Sequence, residues 1–319
     1  MSFVATALWG LLVLFAFIGW GGQIEERLFA TRTADTGLRG AWGMAFALFV
    51  TGSLALFSLA SKPVILTFVA AGVVLGCVRA ATGGGARARG FKAIVQRWGG
   101  LVFASLAAVS IAAAFVQYLG SICDVRFNVN DDFIAYFAFA KQIVQRGTLF
   151  DPFNTRLAMA FGGQSFLHAI VLTGAPSFRL HMLDAGICLL MTVLLVIGSR
   201  KDNERAWPTV LALLIVVTLP SIKINTHSEF SGVVLFYGLV RTLTWIEESD
   251  HDRHIAAPAI LALLAAAACT LRSNYIAVAI PMLALSYTYC IWKEPSRRAS
   301  VFREAIVAAS LGLVSCCRG

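Results

Sequence analysis

Leu101-Val-Phe-Ala-Ser-Leu-Ala-Ala-Val-Ser-Ile-Ala-Ala-Ala-Phe-Val-Gln-Tyr-Leu119 and, shortly after it, Asn128-Val-Asn-Asp-Asp-Phe-Ile-Ala-Tyr-Phe137 decide how this chain is read. The first segment carries no charge. As a helix rising about 1.5 Å per residue, it matches the roughly 30 Å hydrocarbon core of a bilayer. The second opens the longest polar connection of the chain with two adjacent carboxylates, Asp131 and Asp132. Charge is scarce elsewhere, 13% of residues against 58% hydrophobic, so a paired acid asks for a reason.

Similar apolar runs recur outward from this point, at 3–20, 41–60, 64–78, 181–198, 207–222, 230–246, 257–271, 275–292 and 305–317. The mean hydropathy of the whole chain, +0.77, lies outside the range of a soluble domain. The runs are continuously apolar, not alternating, which excludes a β-barrel. The expectation is an all-α polytopic membrane protein of about ten transmembrane helices, with an amphipathic surface helix in a large extracytoplasmic loop. The first run lacks a basic leader and a small-residue cleavage site, and reads as a retained helix.

The net charge is +9, yet the basic residues sit in short connections between runs, which argues against a nucleic-acid partner. These connections are 21–40 (Arg27, Arg32, Arg39), 79–100 (Arg79, Arg87, Arg89, Lys92, Arg97), 199–206 (Arg200, Lys201, Arg205) and 293–304 (Lys293, Arg297, Arg298, Arg303). Placing all four in the cytoplasm puts the N-terminus and the whole of 120–180 outside. Residues 166–174 are then too short for a span and read as a re-entrant or surface-lying segment. The seven cysteines form no CxxC pair, so neither a zinc site nor a disulfide framework is indicated. His251, Asp252 and His254 have the side chains of metal ligands but fall in a cytoplasmic loop, and read as solvated.

Within the outside loop, residues 133–146 have helical periodicity. Phe133, Phe137, Ala140 and Val144 share one face, and Gly147 follows as a C-cap. This predicts an amphipathic helix on the outer membrane surface, aromatics among the headgroups, with the aspartates at its head. Two readings of those acids stand side by side. Asn130 or Asp131 caps the helix while Asp132 interacts with its dipole, or the pair does chemistry. Arg156, Gln164 and His168 are the further polar groups of the loop; each also has an ordinary interfacial role, and for His168 that role is the preferred reading. Asp184, an acid near the outer end of its run, is marked by its cost in a membrane. Arg241 reads as snorkelling toward the inner surface.

The start Asp131-Asp132-x-x-x-Tyr136-Phe137, with Asp151-Pro-Phe-x-x-Arg156 and Gly162-Gly-Gln164-Ser after it, resembles the first extracytoplasmic loop of the GT-C glycosyltransferases. That superfamily includes the protein mannosyltransferases and the lipid A aminoarabinose transferases, and the likeness is to a bacterial branch of it. The resemblance is clearest over 128–168 and weaker over 220–275. It implies a sugar transferred from a polyprenyl-phosphate-linked donor to a glycan, lipid or protein acceptor, at the outer face of the bacterial inner membrane. It makes Asp131 or Asp132 the base that takes the acceptor's proton. Tyr136, Arg156, Gln164 and Arg272 become substrate-binding candidates, with the Arg272 guanidinium suited to a lipid-linked phosphate. Some members hold a divalent cation, Mg or Mn, and here Glu229 with Asp132 would supply its ligands. Glu229 also reads as a cap for the helix from 230, and Arg272 as a contact to lipid headgroups.

The resemblance also implies a division. Residues 1–100 would be additional N-terminal helices with a basic loop, and 101–319 the transferase module. The ending Leu313-Val-Ser-Cys-Cys-Arg-Gly319, within or just after a short run, is what a truncated relative would show. A transporter or flippase of lipid-linked glycans is the rival expectation, but it favours acids near the midplane and repeated halves. A non-catalytic assembly subunit is the third.

Overall fold

The computed structural model describes residues 2–29, 34–82, 100–128, 136–149, 162–200, 205–219, 228–247 and 256–293, together with Ile306. Among these residues every regular element is a helix. In chain order they are α1 (Phe3–Leu28), α2 (Thr36–Leu56), α3 (Lys62–Thr82), α4 (Leu101–Cys123), α5 (Phe137–Arg146) and α6 (Gly163–Leu172). There follow α7 (Ser177–Gly198), α8 (Trp207–Thr218), α9 (Glu229–Glu247), α10 (Ala256–Leu271) and α11 (Ile276–Lys293). Five of them, α1, α2, α3, α4 and α7, are long and apolar enough to cross a membrane.

Nine of the ten runs expected to span thus coincide with helices, but fewer qualify as spans. Helix α8 has 12 residues, and α10 has 16. Helix α9 carries Arg241 and acids at both ends. The tenth run lies outside the described residues, Ile306 excepted.

Successive long helices alternate in direction, which gives the bundle two ends. At the Ser2 end, Arg179 Nη1 donates to Thr6 Oγ1 (2.7 Å), and the Tyr118 hydroxyl donates to the Ala7 carbonyl. Ala60 N donates to Gly147 O there (3.0 Å). At the Arg79 end, α1, α2 and α3 meet through Glu25, and α2, α7 and α9 meet through Asp35 and Arg241. The described parts of 120–180 and the starts of α9 and α11 belong to the Ser2 end. The basic residues Arg27, Arg39, Arg79 and Arg200 belong to the other.

Lipid tails are as apolar as leucine, so helices in a membrane associate by close packing and a few polar contacts. Both devices appear. A Cβ on Gly43 would collide with the Phe17 carbonyl, so α1 and α2 touch backbone to backbone. Trp42, wholly buried, donates from Nε1 to Thr242 Oγ1 (2.8 Å) and meets Trp245 edge-on at 5.5 Å. That ties α2 to α9, and residues from both halves of the chain share one continuous core.

Three expectations need correction. Arg27 and Arg39 are not in a loop, because α1 continues through Glu25 and Glu26 to Leu28 and α2 begins at Thr36. The charges are tolerated because buried Glu25 accepts from Arg39 Nε (2.7 Å) and from Arg79 Nη2. Arg241 does not snorkel. It donates to Asp35 (2.9 and 3.2 Å) and to the carbonyls of Leu195 and Gly198 (both 2.8 Å). Finally, α5 is not spread on a membrane surface. It ends at Gly147 in the left-handed conformation, as expected, but Phe137, Phe139, Ala140 and Ile143 are buried against the protein, largely on α6. Phe133 lies outside the described residues.

Candidate functional site

Helix α6 is the floor of the Ser2 end. It is ten residues long, and Gly163 to Val171 are all buried. Its first residue abuts Thr270, near the end of α10, while Val171 accepts from Trp9 Nε1 (3.1 Å) near the start of α1. Both termini therefore face the same end of the bundle. The segment does not cross the bundle, in keeping with the expectation that it is too short for a span. Its burial carries Gln164 and His168 inward, one turn apart, with 3.3 Å between their Nε2 atoms.

Against α6 stands the start of α9, held from outside its own chain segment. Asp184, in a π-helical stretch of α7 (Leu183–Cys188), accepts from Ser231 N (2.8 Å), Phe230 N (3.1 Å) and Ser231 Oγ (2.7 Å). These amides are the second and third of α9, the donors that an N-cap side chain ordinarily satisfies. Asp184 is thus an N-cap supplied by a neighbouring helix. Such π turns are frequent at functional sites. Ser231 has one hydroxyl proton, which goes to Asp184; its 3.3 Å contact with Gln164 Oε1 is the weaker of the two.

The third element is the turn between α10 and α11. Arg272 Nε donates to Ser228 Oγ (2.9 Å), and the Tyr275 hydroxyl donates to Ser228 O (2.8 Å). The Ser228 hydroxyl in turn lies 3.3 Å from the Tyr275 oxygen. A Cβ on Gly232 would strike Tyr275, so the glycine lets the tyrosine lie across the first turn of α9.

Residues on either side of Asp131–Asp132 reach the same end. Phe127 stacks on His181 (4.5 Å between centroids) and meets Phe137 edge-on at 4.6 Å. His181 Nε2 contacts the Arg126 carbonyl at 2.6 Å, and it precedes Asp184 by less than one turn. The Arg126 guanidinium is held by Asp124 (2.9 and 3.1 Å), which strengthens its hold on its proton.

Of the residues expected to act, Gln164, Glu229 and Arg272 come together around the start of α9. Glu229 is the first residue of that helix, half-buried, and does not cap it. Tyr136 is half-buried at the head of α5. Asp131, Asp132 and Arg156 lie outside the described residues, as do His251, Asp252 and His254. His168 is not an ordinary interfacial histidine. It is 1% exposed, and among the described residues its Nδ1 has no hydrogen-bond partner. Burial, reinforced by the charge of His181, pushes its imidazole down to about 3, so it stays neutral. Ser228, Ser231 and the capping role of Asp184 were not foreseen. The one signal was the cost of an acid in an apolar run.

Among the described residues no group of three His, Cys, Asp or Glu could hold a metal ion. Glu229 is close to Asp184, but both oxygens of Asp184 face N–H donors, an arrangement that suits an anion and not a cation ligand. Of the two residues expected to hold Mg or Mn, Glu229 stands at the start of α9 and Asp132 lies outside the described residues. No family model matches the chain, and neither a curated protein nor a solved structure matches it.

Proposed function

We propose that this chain is an integral-membrane glycosyltransferase of the GT-C kind, acting at the outer face of the bacterial inner membrane. It moves a sugar from a polyprenyl-phosphate-linked donor to an acceptor hydroxyl of a glycan, lipid or protein. One observation carries the reading. Arg272, Ser228, Tyr275, Glu229 and Gln164 converge at the end of the bundle where Phe127 and Phe137, the described flanks of the Asp131–Asp132 segment, pack ring against ring. The positive-inside rule supports putting that end outside, since the strongest basic connections of the sequence, 79–100, 199–206 and 293–304, all follow helices that finish at the other end.

In this reading Asp131 or Asp132 takes the proton of the acceptor hydroxyl as its oxygen attacks the anomeric carbon. The bond from that carbon to the phosphate oxygen breaks, and the phosphate leaves with its electron pair. Arg272 receives the developing charge, by a fork of N–H groups that phosphate oxygens accept from well. Transport of the lipid-linked sugar is the poorer reading, because the buried acids of the described spans are engaged: Asp184 caps α9, and Glu25 pairs with Arg39 and Arg79. Membranes supplied with radiolabelled polyprenyl-phosphate sugars test the proposal. The wild type yields a labelled product, and Asp131→Asn with Asp132→Asn together abolishes it while the protein remains in the membrane. An undiminished product in the double variant sinks the reading.

A further inference from the structure

Helix α9 begins one residue after a serine. Ser228 occupies its N-cap position, serine is among the best residues there, and its hydroxyl would reach the amides of Phe230 and Ser231 without burying any charge. The molecule does otherwise. Those two amides go to Asp184 of α7, a carboxylate that is costly to keep in an apolar helix. The Ser228 hydroxyl, relieved of capping, accepts from Arg272 Nε at 2.9 Å and lies against the Tyr275 oxygen at 3.3 Å.

We propose that Asp184 is a positioning residue for Arg272: by capping α9 in place of Ser228, it frees the serine hydroxyl to hold the guanidinium. This deepens the reading above and rests on it as to what Arg272 receives, a polyprenyl-linked phosphate. The relay itself has a separate consequence. Without Asp184, the Ser228 hydroxyl turns back to cap its own helix, so α9 stays folded while Arg272 loses the hydrogen bond at its Nε. A residue that only stabilised the fold would do the reverse.

The full-length protein in lipid nanodiscs decides between these outcomes. Modification of Arg272 by phenylglyoxal is followed by mass spectrometry in the wild type, Asp184→Ala, Ser228→Ala and the double variant. Loss of one cap, or of one hydrogen bond to a half-exposed guanidinium, is worth about a fivefold change in an equilibrium. Modification is therefore expected to be about fivefold faster in each single variant and no faster in the double, because both act on one contact. Asp184→Asn, which keeps an acceptor for one amide only, gives a smaller acceleration and serves should the alanine variant not fold. Arg272 modified at the wild-type rate in folded Asp184 variants overturns the proposal, as does multiplication of the two effects.

Binding of undecaprenyl monophosphate, titrated by tryptophan fluorescence, separates the relay from the functional reading. The expected result is the same pattern, affinity about fivefold weaker in each single variant and not weaker still in the double. If the modification pattern appears but the wild type does not bind the lipid phosphate, the transferase reading fails and the relay stands. Wild-type affinity in all the variants, with unchanged modification, removes the relay.

Discussion

Replacing Asp35 should loosen the bundle in two separable steps. Its carboxylate does two jobs: it caps α2, accepting from Gly37 N (2.9 Å) and Leu38 N (3.3 Å), and it pairs with Arg241 across helices (2.9 and 3.2 Å). Loss of a cap costs about 1 kcal/mol. Stranding one partner of a buried ion pair costs about 3–5 kcal/mol in soluble proteins. Here the lower limit applies for two reasons. Arg241 keeps the carbonyls of Leu195 and Gly198, and the Asp35 side chain is 27% exposed. Polar contacts between helices in membranes also average only about 0.6 kcal/mol by double-mutant cycle, because the unfolded chain in lipid finds other partners. Asp35→Ala should then cost about 2–4 kcal/mol, and Asp35→Asn, which keeps a capping oxygen, about 1 kcal/mol less. Unfolding by sodium dodecyl sulfate in mixed micelles reads the difference, with Trp42 and Trp245 beside the pair as fluorescent reporters. If the alanine variant loses under about 1 kcal/mol, or the asparagine variant equals it, the two-part account of Asp35 is wrong.

Two further outcomes follow from the same packing. Gly43→Leu would force α1 from α2, because backbone and not a movable side chain stands in the way, and should abolish a monodisperse peak on gel filtration; Gly120→Ala, which meets nothing within 4 Å, should be tolerated. The neutral, buried His168 sets a pH dependence. Its imidazole titrates near 3 in the folded protein against 6.5 ordinarily, so the unfolded chain binds the extra proton between those values. Stability is whole above about pH 6.5 and falls as pH drops toward 3; His168→Phe should flatten that slope in melting curves between pH 5 and pH 8, and an unchanged slope would assign it to another group.

The positions of most helices could be read from the sequence because apolar runs report burial in lipid or protein alike. Their limits could not. Glu25 looks like the end of a span until its partners, Arg39 and Arg79, are known to come from two other helices. The same holds for Arg241, whose acid lies 206 residues earlier in the chain. At the site, Gln164, Glu229 and Arg272 were recognisable as polar groups in connections on one side. Asp184 was recognisable only as an expense, since the amides it caps are 46 and 47 residues away and amides leave no mark in a sequence. His168 illustrates the opposite error: a short apolar segment with a histidine looks interfacial, and only the packing of other helices around α6 reveals that the imidazole is buried.

The two ends of the bundle spend their charges differently, and this bears on where recognition occurs. At the Arg79 end, Glu25 and Asp35 are each matched by arginines from other helices, so cation and anion cancel and what remains is cross-linking. At the Ser2 end Asp124 is likewise paired, with Arg126, but Asp184 faces a helix N-terminus, whose partial charge of about +0.5 and amides compensate it. Asp184 is therefore not available to neutralise Arg272, which Ser228 anchors with a neutral hydroxyl. The hydroxyl on Nε brings no charge of its own, and the fork of guanidinium N–H groups matches the oxygens of a phosphate. Substitutions at the Arg79 end should accordingly change stability without changing what binds, and substitutions around Ser228 should change binding with little loss of stability. In the proposed transferase, recognition of a phosphate falls to the end where Asp184 is paired with backbone.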